Sequence, residues 1–125
     1  MAEKPSPPAG SKAPGKALWT AVLADYELDP HEELLLTQAC RTADQLEALD
    51  AAVRRDGVLQ DSPQGTRAHP ALVEARQQRL TLARLLAALR LPLGDEAEGQ
   101  QGNARQPQRR GAPRAPYGIT QRPSA

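Results

Sequence analysis

Two histidines, His31 and His69, each stand beside a proline, and three acids recur as Asp44, Glu47 and Asp50. These are the side chains whose types could exchange protons, and a general acid and base would need them within hydrogen-bond reach of one substrate. Their setting argues otherwise. Each histidine falls at an expected helix start, where capping or exposure is the ordinary role, and the acids fall on one helix as a solvated run. There is no glycine-rich phosphate loop, no nucleophile motif and no metal-ligand spacing. Cys40 is the single cysteine, which excludes a disulfide framework and a Cys-x-x-Cys site; it is expected to be a small buried hydrophobe on a helix flank. No enzyme and no cofactor are expected.

The cations offer a second chemistry. Arg54, Arg55 and Arg67 flank an expected loop, and Arg105, Arg109, Arg110, Arg114 and Arg122 stud the C-terminal region. They are candidate DNA-binding residues, because arginine neutralises phosphates and releases counterions without reading bases. Aromatic stacking platforms and a basic recognition helix are missing from the sequence, so the pattern does not separate DNA binding from protein binding. The formal net charge of +1 points to no partner by itself, but it is unevenly spread. Residues 17 to 56 carry nine acids against three arginines, and residues 57 to 91 carry two acids against five arginines. Acidic and basic halves can pair within or between chains.

The elements that hold these residues are helical. Residues 1–15 are rich in Pro, Gly and Ser, and residues 92–125 in Pro, Gln, Gly and Arg, so both are expected to be disordered tails. Between them, residues 16–91 have no Phe, one Trp and one Tyr, but many Leu and Ala, which predicts an all-α core of three antiparallel helices. So small a helical layer gains stability from stacking copies or docking on a partner, which makes self-association an expectation. With no apolar leader and no run of ~20 apolar residues, the chain is expected to be soluble and intracellular.

The first helix is predicted over Ala17 to Glu27, with Trp19 as its anchor. Asp29, Pro30 and Glu32 predict a capped restart, and the second helix runs to about Arg55. Its seam is Leu35, Ala39, Thr42, Leu46, Leu49 and Val53, at a mean spacing of about 3.5 residues suited to a bundle contact. Gly57 ends it. Val58 to His69 is long for a bundle loop and contains Ser62-Pro63-Gln64-Gly65 between short extended arms, which predicts a β-hairpin. The third helix is predicted from Pro70 to about Leu91, and Pro92 stops it. Projected at 100° per residue, it places Arg76 and Arg79 on the apolar arc with Leu72, Ala75, Leu82, Ala83 and Leu86. One explanation pairs these arginines with Glu47 and Asp50 of the second helix, and the other turns them toward an acidic face of another subunit.

Five stretches carry a family resemblance: "GKALWTAVLADYEL" (Gly15 to Leu28), "ELLLTQACRTADQLEALDAAV" (Glu33 to Val53), "DG" (Asp56 and Gly57), "HPALVEARQQRLTLARLLAALRLP" (His69 to Pro92) and "RRGAPRAPYG" (Arg109 to Gly118). In this order and spacing the chain resembles the small terminase subunits of tailed bacteriophages, the cohesive-end type common in phages and prophages of high-GC actinobacteria. The resemblance implies a non-enzymatic, mainly helical protein of the bacterial host cytoplasm that forms a homo-oligomeric ring. It would bind double-stranded viral DNA and hand it to the large terminase subunit, to which ATPase and nuclease activities belong. The seams would build the ring, and the arginines of the hairpin and tails would meet DNA or the large subunit. Pro113 and Pro116 depart from the family's tail pattern and imply an extended docking conformation, with Tyr117 as a candidate anchor. The rival reading is a helical oligomeric adaptor that binds only protein, and a more distant one is a small transcriptional regulator.

Overall fold

A computed structural model describes residues 4–92 and 107–111. The chain order is α1 (Ala13–Asp25), β1 (Tyr26–Glu27), α2 (Pro30–Asp56), β2 (Leu59–Ser62), β3 (Gly65–Ala68), α3 (Pro70–Leu89) and β4 (Gln108–Arg109). The chain is therefore mostly helical but not purely α. The hairpin β2–β3 pairs antiparallel with Leu59 opposite Ala68 and Ser62 opposite Gly65. The antiparallel pair β1–β4 sets Tyr26 opposite Arg109 and Glu27 opposite Gln108, and nothing in the sequence reading anticipated it.

The start of α1 lies four residues before the expected Ala17, and its cap explains why. Lys12 supplies no capping side chain. The Asp44 carboxylate reaches across from α2 instead, accepting the main-chain N–H of Lys12 at 2.8 Å and of Gly15 at 2.7 Å. Those are N–H groups that a helix start leaves without internal partners. Gly15 permits this approach, because a Cβ there would stand 2.6 Å from Asp44 Oδ2 and 2.9 Å from the Cys40 carbonyl oxygen. Residues 4–12, expected as part of a solvated tail, are also held through Trp19, whose Nε1 donates to the Pro5 carbonyl at 3.0 Å.

Local signals set the two ends of α2 and the start of α3 where the sequence put them, while α1 ends at Asp25 and α3 at Leu89, two residues before the expected Glu27 and Leu91. The capping box of Asp29 and Glu32 starts α2, with the Asp29 N–H donating to Glu32 Oε1 at 2.7 Å, which accounts for a buried Glu32. Gly57, at φ 87°, ends α2 in a conformation that L side chains resist. At α3, Pro70 takes a first-turn position and His69 caps, its Nδ1 accepting the Ala71 N–H at 2.9 Å.

Helices α1 and α3 each run antiparallel to α2: Gly15 meets Asp44 at one end of α1, His69 meets Asp56 at one end of α3, and Leu36 shares a core with Leu89 at the other. The dry core gathers at that shared end and comprises Trp19, Val22, Leu23, Tyr26, Leu36, Cys40 and Leu89. Cys40 is fully buried, in the role expected of it. The expected seam holds in part. Its Ala39 and Thr42 are buried, as are Leu36 and Cys40 beside them, while Leu35, Leu46, Leu49, Val53 and Leu72 are half-buried. Leu86, placed on the seam by projection, is 36% exposed, because α3 buries only the narrow arc through Ala71, Ala75 and Leu89 against its single long neighbour. No helix among the described residues is long and apolar enough to cross a membrane.

Candidate nucleic-acid interface

Beyond the N-terminal end of α1, the C-terminal half of α2 and the N-terminal half of α3 continue as a two-helix arm tipped by the β2–β3 hairpin. All the expected DNA contacts outside the tail lie here. Most of its cations are already neutralised within the chain. Arg54 Nη2 is 3.2 Å from Glu47 Oε2 on the same helix. Arg55 holds Asp56 with two bonds, at 2.9 and 3.1 Å. Arg79 Nη2 donates to Asp50 Oδ1 at 3.1 Å, the cross-helix pair that the sequence predicted. Both partners are substantially exposed, so this pair sits at the surface and not at the border of a core.

Glu47 turns to Arg54 and not to α3, which corrects half of the expected pairing. Arg76 is exposed and, among the described residues, has no ion pair or side-chain hydrogen bond. Arg67, opposite Gln60 in the hairpin, is likewise exposed and unpaired among the described residues. These two are the arm's open cations. Arg76 and Arg79 rim a groove of about 260 Å³ whose other walls are Ala68, Leu72 and Val73. Leu59 pairs with Ala68 and so projects from the same face of the hairpin, where it is 61% exposed. Val73 and Leu80, seven residues apart on α3, are each 50% exposed. The surface is thus mixed, with open apolar side chains beside unspent charge.

At the root of the hairpin, Asp56 joins both chemistries. Because His69 Nδ1 accepts the Ala71 N–H, Nε2 carries the ring proton and donates to Asp56 Oδ2 at 2.9 Å. Hydrogen bonds from Arg55 first, and from His69 second, hold the Asp56 carboxyl at about 2, below the ordinary carboxylate value. His69 is therefore a structural latch between α2 and α3, with neither ring nitrogen free. His31 is exposed on the first turn of α2. Although Asp29, His31 and Glu32 bring possible ligand atoms within 4.8 Å of one another, the two acids are already spent on the capping box. Cys40 is pushed up to about 11, by burial first and the nearby Asp44 charge second, and stays a thiol.

The tail cations divide. Arg105, Arg114, Arg122 and Tyr117 lie outside the described residues. Arg109 lies over the Tyr26 ring, 5.6 Å from its centroid, and donates to the Pro92 carbonyl at 3.3 Å. Arg110 donates through Nε to the Leu23 carbonyl at 2.6 Å and through Nη2 to the Tyr26 carbonyl at 3.0 Å. Arg110 is thus a cap on the C-terminal end of α1, which withdraws it from the set of phosphate ligands. Its role, and that of Asp44, depends on contacts between residues far apart in the chain, for which the sequence carries no local signal. His69 was legible as a cap from its place before Pro70, but its bond to Asp56 was not.

Comparison of the chain with protein-family models, curated proteins and solved structures gives no match in any of the three.

Proposed function

We propose that this chain is the small terminase subunit of a tailed phage or prophage: a non-catalytic, self-associating component that binds double-stranded viral DNA and delivers it to the large terminase subunit in the bacterial host cytoplasm. The resemblance of five ordered stretches supports this reading. So does the arm, and one observation there carries most weight. Arg67 and Arg76 are exposed and, among the described residues, unpaired on a projecting hairpin and helix, beside apolar side chains that the described residues leave open. Cations of that kind suit phosphates, and open leucines suit subunit contacts.

A gel-shift titration of duplex DNA against salt tests it. The double variant Arg67→Ala/Arg76→Ala is expected to lose about tenfold in affinity at moderate salt and to flatten the log–log salt slope by roughly 1 to 2, as for one or two phosphate contacts removed. No shift of duplex DNA at low salt would leave the second reading, a helical adaptor that binds only protein. That alternative is favoured by the pairing of Arg54, Arg55 and Arg79 within the chain, which lowers the charge available to DNA.

A further inference from the structure

The two faces of the β2–β3 hairpin carry different chemistry. Directly opposed residues of an antiparallel ladder share a face, and successive pairs alternate between faces. Leu59 with Ala68 and Asp61 with Thr66 therefore make one face, and Gln60 with Arg67 and Ser62 with Gly65 make the other. The first face belongs to the arm. Its Ala68 lines the groove with Leu72 and Val73, and its Thr66 Oγ1 donates to Asp61 Oδ1 at 3.4 Å. The second face has no acid and no large apolar side chain. Its Ser62 hydroxyl donates to the Gly65 carbonyl at 2.6 Å, which closes the turn. That leaves an exposed guanidinium beside a half-buried amide, and among the described residues neither has a side-chain partner.

This face is held firmly from its root. The His69 main-chain N–H donates to the Val58 carbonyl at 2.8 Å, just beyond the ladder, and the His69 ring bonds both Asp56 and the Ala71 N–H. The strands thus continue from two helix ends, and their side chains are aimed by those helices. An amide and a guanidinium each present two hydrogen-bonding groups in one plane, which matches the edges of adenine and guanine, whereas a phosphate asks mainly for charge. Protein-binding surfaces are centred on apolar or aromatic anchors, and the one large apolar side chain of these strands, Leu59, is on the other face. A two-stranded ribbon also fits the major groove, which is about 12 Å wide and 8.5 Å deep. With four residues per strand, this ribbon extends roughly 14 Å.

We propose that the Gln60–Arg67 face of the hairpin enters the major groove of duplex DNA and reads base edges there, Arg67 bonding a guanine and Gln60 an adenine. Arg76, outside this face, stays with the phosphates. The inference rests on the DNA-binding reading above, and it gives a source of sequence preference to a chain that lacks a basic recognition helix.

The test uses the full chain. A pool of short randomised duplexes is enriched by binding, and the winning duplex and a scrambled version of it are then titrated by gel shift at several salt concentrations. The unaltered chain is expected to prefer the winner at least about thirtyfold, the low end for two bidentate base contacts. Arg67→Lys keeps the charge and loses the planar fork, and Gln60→Ala removes the amide. Each should lower the preference about fivefold or more and leave the salt slope unchanged, with circular dichroism as the check on folding. Arg76→Ala should weaken both duplexes alike, flatten the slope by about 1 and leave the preference intact. A preference indifferent to Arg67→Lys and Gln60→Ala, or no preference at all, would overturn base reading by the hairpin and leave DNA binding standing. No shift of any duplex at low salt would overturn both.

Discussion

The base of the molecule and its arm are built on the same two long helices, α2 and α3, packed to opposite effect. At the base, three elements converge and Leu36, Cys40 and Leu89 are sealed from solvent. In the arm, among the described residues, only α2 and α3 meet, Ala71 and Ala75 are buried, and Leu46, Leu49, Val53 and Leu72 remain half-buried. Two helices have one shared face, so the rest of each stripe stays open unless something else covers it. Stability is concentrated in the base, and unsatisfied surface is concentrated in the arm.

The sharpest way to break this contrast is to place a charge in each region. Leu36→Asp buries an unpaired carboxylate among Trp19, Leu23 and Leu89 and is expected to cost more than ~4 kcal/mol, enough to abolish the cooperative melt. Leu46→Asp, with a route to water, is expected to cost roughly 1–3 kcal/mol. Thermal melts that fall equally would show that the arm is as tightly packed as the base. Next in size is Gly15→Ala. The added Cβ meets the Cys40 main chain as well as the movable Asp44 carboxylate, so α1 must shift and its two cap bonds loosen, at about 2 kcal/mol by denaturant titration. An unchanged midpoint would mean that α1 is not seated against α2 as described.

Acid titration addresses the root of the arm. Asp56 titrates at about 2 in the folded chain against an ordinary 3.8, so its contribution is complete above about pH 4 and is lost as the pH falls toward 2. Asp56→Asn should remove that part of the pH dependence, and melts from pH 5 to 2 that superimpose for the two proteins would refute it. The smallest effect belongs to the surface pair. Arg79→Ala is expected to cost about 0.5 kcal/mol, discounted for exposure, and Arg84→Ala close to nothing. Equal melting temperatures would assign the Arg79–Asp50 contact no net value.

The same division governs what the sequence discloses. Helix order, the α2 capping box, the Gly57 stop, the hairpin turn and the Pro70 start were legible because each is written within a few residues. The α1 start was not, since its cap comes from Asp44, 29 residues beyond Gly15. Nor was the β1–β4 ladder, two residues long and contributed by a tail whose composition reads as coil. The Arg79–Asp50 pair was foreseen, but the projection that found it also put Leu86 in a core, because it assumed a wider buried arc than one neighbouring helix can cover. Of the candidate interface, residue types were legible, and which arginines are already spent was not.

Trp19, the single tryptophan of the chain, lies in the base with its indole N–H held by Pro5. Its emission is therefore an optical probe of one region only. Helical dichroism, by contrast, sums over α2 and α3 into the arm. If the arm opens before the base, the dichroism of a heated sample will decline while the indole spectrum stays blue, and the two curves will not coincide. Whatever covers the arm would bring them back together.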